Sequence, residues 1–374
     1  MPGSSSPSTK NHLTYLDSAR GIAALMVFAS HFIGLFLHDK MNVHYLFLIF
    51  NGNDAVSFFF VLSGFVLSYK YLVLDKPLDI KKYYVTRIFR IFPAYFIAVT
   101  ISALMANREQ MNLNTLTDLF ILNKRQFWEE ALLFRLYNKY LIVGWSLTIE
   151  MGVSLIIPFF VALAIRDKKL ISYLIVVLLV IGVYFCNSLH FLFGVLIACY
   201  FSKIRDASFK ETKWYKYRYA ILPLAFVLFS LRHIDAIAPL GSMYNYLAGY
   251  LSVDFFVYSG IAAFVFLVAI IHSRSAQKFL EKKPLIFMGK ISYGVYLVHV
   301  TLLNYIYYFF THYDTPAHHI LLLILAVIIY FMGTLVAATL MHYLIELPFI
   351  RVGKRIVGRM KPSLIISREP NQNQ

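Results

Sequence analysis

The sequence predicts an all-α polytopic membrane protein of about ten transmembrane helices with both termini cytoplasmic, and three observations carry that prediction. Hydrophobic residues make up 59% of the 374-residue chain and charged residues only 14%, against about 25% in soluble domains. The apolar residues gather into repeated runs of about 20, the length that crosses a bilayer as a helix. Of the 35 Lys and Arg, 28 then fall on one side of the scheme those runs define, as the positive-inside rule requires.

In chain order, residues 1–12 are Ser/Pro-rich and read as a disordered tail. The predicted spans are Leu13–Leu37, Val56–Leu74, Tyr84–Met105, Gly144–Ile165, Leu170–Phe185, His190–Phe201, Tyr219–Leu231, Leu247–His272, Leu285–Phe310 and His318–Ile345. They form a transmembrane domain of residues 13–350, followed by a basic cytoplasmic tail, 351–374. The first run is too long for a signal-peptide core, lacks a small-residue cleavage site and is followed by further spans. Seven Lys and Arg remain outside, five of them in the long connection Ala106–Val143, whose piece Leu116–Leu122 reads as an interfacial helix or lid. No polar stretch is long enough for a second core, and no internal repeat suggests the inverted halves of a transporter. The net charge of +16 is therefore topological: its partner is the anionic leaflet of the lipid bilayer, and no nucleic acid partner is expected. Cys186 and Cys199 lie in apolar runs and read as small buried hydrophobes. The expected location is the cell (inner) membrane, as a multi-pass protein.

Ionisable groups at membrane depth are costly, so each is a functional candidate. Asp17, Arg20 and His31 all lie in the first span. At roughly 100° per residue, the eleven steps from Arg20 to His31 return to nearly one helix face, about 16 Å further along. Gly21 and Ala24 between them leave room for something long and thin, such as a ligand with an anionic head and a reactive tip. Arg87 and Arg90 open the third span at the level of Arg20. Three guanidiniums at one depth suit a phosphate-bearing ligand; snorkelling to lipid headgroups is the other reading. The fourth span begins outside with Trp145 and carries Ser146, Glu150 and Ser154 as a polar stripe, which sets Glu150 at the depth of His31. A carboxylate there either orients the imidazole, as in a catalytic triad, or makes a structural His–Glu bond between helices. Asp54, at the outer end of the second span, is an N-cap or a contact to a polar acceptor. Ser63 and Gly64 read as close helix packing rather than a nucleophile. On the ninth span Ser292, Tyr296 and His299 share a face, His299 being a ligand contact or a satisfied interior histidine. His342 and Glu346 read as a structural pair at the inner surface, and no Cys/His/carboxylate cluster has metal-ligand spacing.

Several stretches together resemble the acyltransferase-3 family of integral-membrane acyltransferases, in that family's order and over nearly the whole chain. They are Leu16-Asp17-Ser18-Ala19-Arg20-Gly21 with His31 beyond it, Phe58-Phe59-Phe60-Val61-Leu62-Ser63-Gly64-Phe65, Arg87-x-x-Arg90-x-x-Pro93-x-Tyr95 and Trp145-Ser146-Leu147-x-x-Glu150. The series continues with Ile291-Ser292-Tyr293-Gly294-Val295-Tyr296-Leu297-x-His299 and Glu346-x-Pro348. The resemblance implies a ten-span layout and acyl transfer, usually acetyl, from a cytoplasmic acyl-CoA to a hydroxyl of a cell-surface or lipid-linked polysaccharide. It implies His31 as the catalytic histidine and Arg20, Arg87 and Arg90 at the CoA end. Beside these, Glu150 is expected to orient His31, Ser292, Tyr296 and His299 to bind acyl-CoA, and Asp54, Trp145 and Ser146 to lie on the acceptor side. Acetyl-CoA is then a donor substrate, with no bound cofactor and no metal expected. Many members of that family carry a C-terminal SGNH-hydrolase-like domain; the short basic tail after Pro348 leads to the stand-alone form as the expectation. General-base and covalent roles for His31 both stay open. So does a competing class, a transporter or flippase for an anionic or lipid-linked substrate, which would leave acyl-CoA intact.

Overall fold

Helix α1 (Thr14–Phe36) is followed by α2 (His44–Ile49), α3 (Gly52–Leu72) and α4 (Ile80–Ala106). The computed structural model describes residues 13–37, 44–107, 125–181, 188–206, 210, 213–237 and 255–367. The predicted N-terminal tail 1–12, the Leu116–Leu122 segment, Cys186 and residues 368–374 of the basic tail lie outside the described residues. Short polar side chains start the helices where the first backbone N–H groups need acceptors: Asn51 accepts from Asp54 N and Asp79 from Lys82 N, each at 3.1 Å. The cap of α3 is thus Asn51, and Asp54, 3% exposed, hydrogen-bonds the Asn51 amide instead.

On the side where α4 ends, α5 (Arg125–Ala131) is tied to the bundle by Glu130. Its buried carboxylate accepts the backbone N–H groups of Lys139, Tyr140 and Leu141 at 2.6–3.2 Å. This single side chain folds the described half of the long connection back on itself. The bundle continues through α6 (Gly144–Arg166), α7 (Lys168–Ile181), α8 (Ser188–Cys199), α9 (Arg218–Ile237), α10 (Phe255–His272) and α11 (Arg274–Leu280). It closes with α12 (Lys283–Tyr313), α13 (His319–Met341), a π-helical turn at His342–Glu346 and α14 (Leu347–Arg359).

Large apolar side chains cover the outside of α13, with Ile320 73% and Leu321 57% exposed, a surface that lipid rather than water satisfies. The protein is an all-α polytopic membrane protein, with fewer than ten candidate spans among the described residues. Among the described residues six helices are long and apolar enough to cross, or seven if α10 and α11, bent by 92°, form one broken span. Over the described residues α7 and α8 measure 14 and 12 residues, with 182–187 between them outside the description, and the apolar part of α9 is Arg218–Leu231. Hydropathy does not distinguish lipid contact from burial in protein: α8 is apolar because Phe191, Leu192, Val195 and Ile197 are fully buried at its packing faces.

Two close crossings set the core. A Cβ on Gly21 would lie 2.7 Å from Gly289 N, and one on Gly289 would collide with the Asp17 carbonyl, so α1 and α12 meet backbone to backbone. The α3–α8 contact is of the same kind, Gly64 facing the Phe191 carbonyl and Gly194 that of Val61, in keeping with the packing role read for Ser63–Gly64. The room expected beside Gly21 and Ala24 is therefore filled by α12: Ala24 is fully buried against Ile291, Val295 and Ala338. Small residues on a helix permit a close neighbour, and here the neighbour is protein.

The boundary drawn at residue 350 falls inside α14. Beyond it the chain returns as β2 (Ile365–Ile366), antiparallel to β1 (Leu78–Asp79), with Ser363 Oγ donating to Asp79 at 2.7 Å. Thr14 and Ile365 line one cavity, so the two ends of the described chain lie on one side of the bundle.

Candidate active site

A cavity of about 1000 Å³ opens among α1, α3, α4, α6 and α12 and is rimmed by β1 and the segment before β2. Its charged lining holds Arg20, Lys70, Lys82, Arg87, Arg90 and Lys290 against Asp17, Asp79, Glu150 and Glu346, an excess of positive charge. The three arginines predicted to share a level do meet here. Their states differ.

Arg20 Nη1 bonds Asp17 Oδ1 at 3.2 Å, three residues away on its own helix. Arg87 is 8% exposed and paired: Nε donates to Ser154 Oγ at 3.0 Å and Nη2 ion-pairs with Glu150 Oε1, which also accepts from Ser63 Oγ at 3.1 Å. α4 starts at Ile80 rather than Tyr84, which places Arg87 two turns into the helix. Arg90 lines the cavity with no hydrogen bond or ion pair to any described residue. Lys290, one turn from Tyr293 on α12, adds its ammonium to the same wall.

This arrangement corrects the expectation that Glu150 orients His31. Glu150 is occupied by Arg87 and Ser63, and the ring that meets His31 belongs to His299. His299 Nε2 lies 3.3 Å from His31 Nδ1, with the rings edge to face and their centroids 5.1 Å apart. The reason is the crossing at Gly21 and Gly289. His31 stands ten residues past the first glycine and His299 ten past the second, so two helices running together from one contact bring them level. That matched spacing was the signal present in the sequence, and it becomes readable only when the two glycines are known to touch.

Neither histidine lines the cavity. Its inner end is formed by Phe59, Ser146 and Tyr296. The Tyr296 hydroxyl pairs with Ser146 Oγ at 2.6 Å, and its ring stands 5.7 Å from Phe59 and 5.9 Å from His299. Ser146, expected on the acceptor side, thus faces the arginine-lined cavity together with Ser292, whose Oγ donates to the Gly289 carbonyl at 2.8 Å. Trp145 packs edge-on against Phe60, and Asp54 is buried at the far end of α3. His342 and Glu346 form the expected pair, Nδ1 to Oε2 at 3.0 Å, and both line the cavity. Cys199 is buried, and the described residues hold no cluster suited to a metal ion.

A family model described as an acyltransferase domain matches residues 13–343. Nodulation protein 10 of Rhizobium leguminosarum bv. viciae is similar, 25% identical over 183 residues, which is 45% of this chain and 49% of that protein. The chain thus matches that curated relative over about half its length. No solved structure matches.

Proposed function

Because this chain belongs to the acyltransferase-3 family of membrane acyltransferases, we propose that it moves an acetyl group from cytoplasmic acetyl-CoA to a hydroxyl of a cell-surface or lipid-linked polysaccharide at the inner membrane. The observation that supports this best is the cavity: cationic at its Lys- and Arg-rich mouth and aromatic at the end lined by Phe59 and Tyr296, whose ring stands 5.9 Å from that of His299. A nucleotide phosphate head fits the mouth, where Arg90 and Lys290 have charge to give. The uncharged arm runs past Ser63 and Ser292, and the thioester reaches the histidines when the Phe59–Tyr296 wall yields.

His31 is half-buried, and its Nε2 has no partner among the described residues, so it is placed to serve as the base for an acceptor hydroxyl approaching from the opposite face. Family membership lends no weight to the transporter alternative.

The test is thiol release and label transfer from radiolabelled acetyl-CoA by the purified protein in nanodiscs, with and without crude lipid-linked glycan. Transfer that depends on glycan, is lost in His31→Ala, and shows a raised KM for acetyl-CoA in Arg90→Gln is the expected result. Thiol release that His31→Ala leaves intact would remove His31 from the chemistry.

A further inference from the structure

The second imidazole gives His31 a partner of a kind not assigned by the sequence, and its role rests on His31 acting as the base. His299 is fully buried on α12 among the rings of Phe28 and Tyr296, and its Nδ1 lies 2.9 Å from the Val295 carbonyl oxygen. A carbonyl only accepts, so that nitrogen carries the proton, and the neutral ring keeps a bare lone pair on Nε2. His31 is anchored in the same way, Nδ1 to the Val27 carbonyl at 2.9 Å. Its Nδ1 therefore also carries a proton, and the bare Nε2 of His299 is the atom 3.3 Å away. The opposite assignment would set lone pair against lone pair at both carbonyls. One tautomer of each ring is compatible with all three contacts, the single Nδ1–H of His31 being shared between the Val27 carbonyl and His299 Nε2, and it leaves the lone pair of His31 on Nε2. Among the described residues no carboxylate bonds either ring.

We infer that His299 is the positioning residue for His31, occupying the place a carboxylate takes in a His–Asp pair. Its Nε2 accepts from the Nδ1–H of His31, holds that ring's orientation, and steadies the imidazolium formed in turnover. In the step itself the acceptor O–H bond breaks and its proton goes to His31 Nε2. The oxygen forms the new bond to the thioester carbonyl carbon, the C–S bond breaks, and the departing thiolate takes the proton from Nε2. His31 is neutral again, and the Nδ1–H···Nε2 bond to His299 persists throughout. A neutral partner suits this depth, because a carboxylate there would have to be desolvated in every resting enzyme.

The experiment compares His299→Leu with His299→Gln in the full chain in nanodiscs. The Gln carbonyl oxygen reaches the place of Nε2 and can still accept; Leu cannot. Radiolabelled acetyl-CoA with crude lipid-linked glycan gives kcat and KM, and ¹⁵N-histidine spectra, with His31→Ala to assign the His31 signals, report the tautomer. In His299→Leu kcat falls roughly 100-fold with KM for acetyl-CoA within about twofold, and the His31 Nδ1–H, still held by the Val27 carbonyl, keeps its tautomer while its signal shifts with the loss of the second acceptor. In His299→Gln at least a tenth of the lost rate returns, and the Nδ1–H signal stays near its wild-type position. Full kcat in the Leu variant, or equal losses in both variants with the Nδ1–H signal unmoved, overturns the inference. If the wild type releases no thiol, the acyl-transfer reading fails instead, and the ¹⁵N spectrum still decides whether the two rings are bonded.

Discussion

Replacing Arg87 by Met tests whether Glu150 belongs to the arginine or to the histidine. In the structure Glu150 Oε1 is held by Arg87 and Ser63, and the paired side chains are 10% and 20% exposed. Removing one partner of a buried pair strands the other charge and costs about 3–5 kcal/mol; the cavity wets this pair, so the low end, about 3 kcal/mol, is appropriate. At about 2 °C per kcal/mol for a chain larger than 150 residues, the unfolding midpoint of Arg87→Met in nanodiscs should fall by about 6 °C at a fixed scan rate. Arg87→Met combined with Glu150→Met removes both charges at similar volume and should return to within about 2 °C of wild type. Glu150→Gln keeps the Ser63 bond and should change KM for acetyl-CoA more than kcat. If the double variant loses the sum of the single effects, or if Glu150→Gln is fully stable yet about 100-fold lower in kcat, then Glu150 acts on the chemistry and the pairing argument is wrong.

Three further outcomes follow from other parts of the fold. Gly21→Val places methyl groups against the Met288–Gly289 backbone, where even a Cβ would be 2.7–2.8 Å away; overpacking at that crossing should cost roughly 1–3 kcal/mol and lower the unfolding midpoint, while Gly152→Ala, with open space around it, should not. Phe59→Ala thins the wall between the cavity and the histidines, so acceptor-independent thiol release from acetyl-CoA should rise several-fold; an unchanged background rate would mean that the arm takes another route. Asp79 lies outside the membrane spans, and the Ser363 hydroxyl, followed by the backbone N–H groups of Lys82 and Ser363, holds its carboxyl below the ordinary 3.8. The β1–β2 strap is thus stabilised above that value and loses this support as pH falls through the lower folded one; limited proteolysis of residues 360–367 should accelerate only in strong acid for the wild type, and already at neutral pH for Asp79→Asn.

Composition, the recurrent apolar runs and the placement of Lys and Arg determined that this chain is a helical membrane protein, because the bilayer admits few other answers for such a pattern. The residue types at the site were legible too: His31, Arg20, Arg87, Arg90 and Glu150 stand out because ionisable groups in apolar runs are expensive. The pairings among them were decided only by the tertiary structure. Hydropathy could not tell α8, buried in protein, from a helix facing lipid, and the described residues hold fewer helices long enough to cross than the ten predicted. Depth measured from an assumed helix start matched Glu150 to the wrong partner. Side-chain pairing depends on which helices touch and in what register, and here both were set by the crossing of Gly21 and Gly289, which brings His31 level with His299.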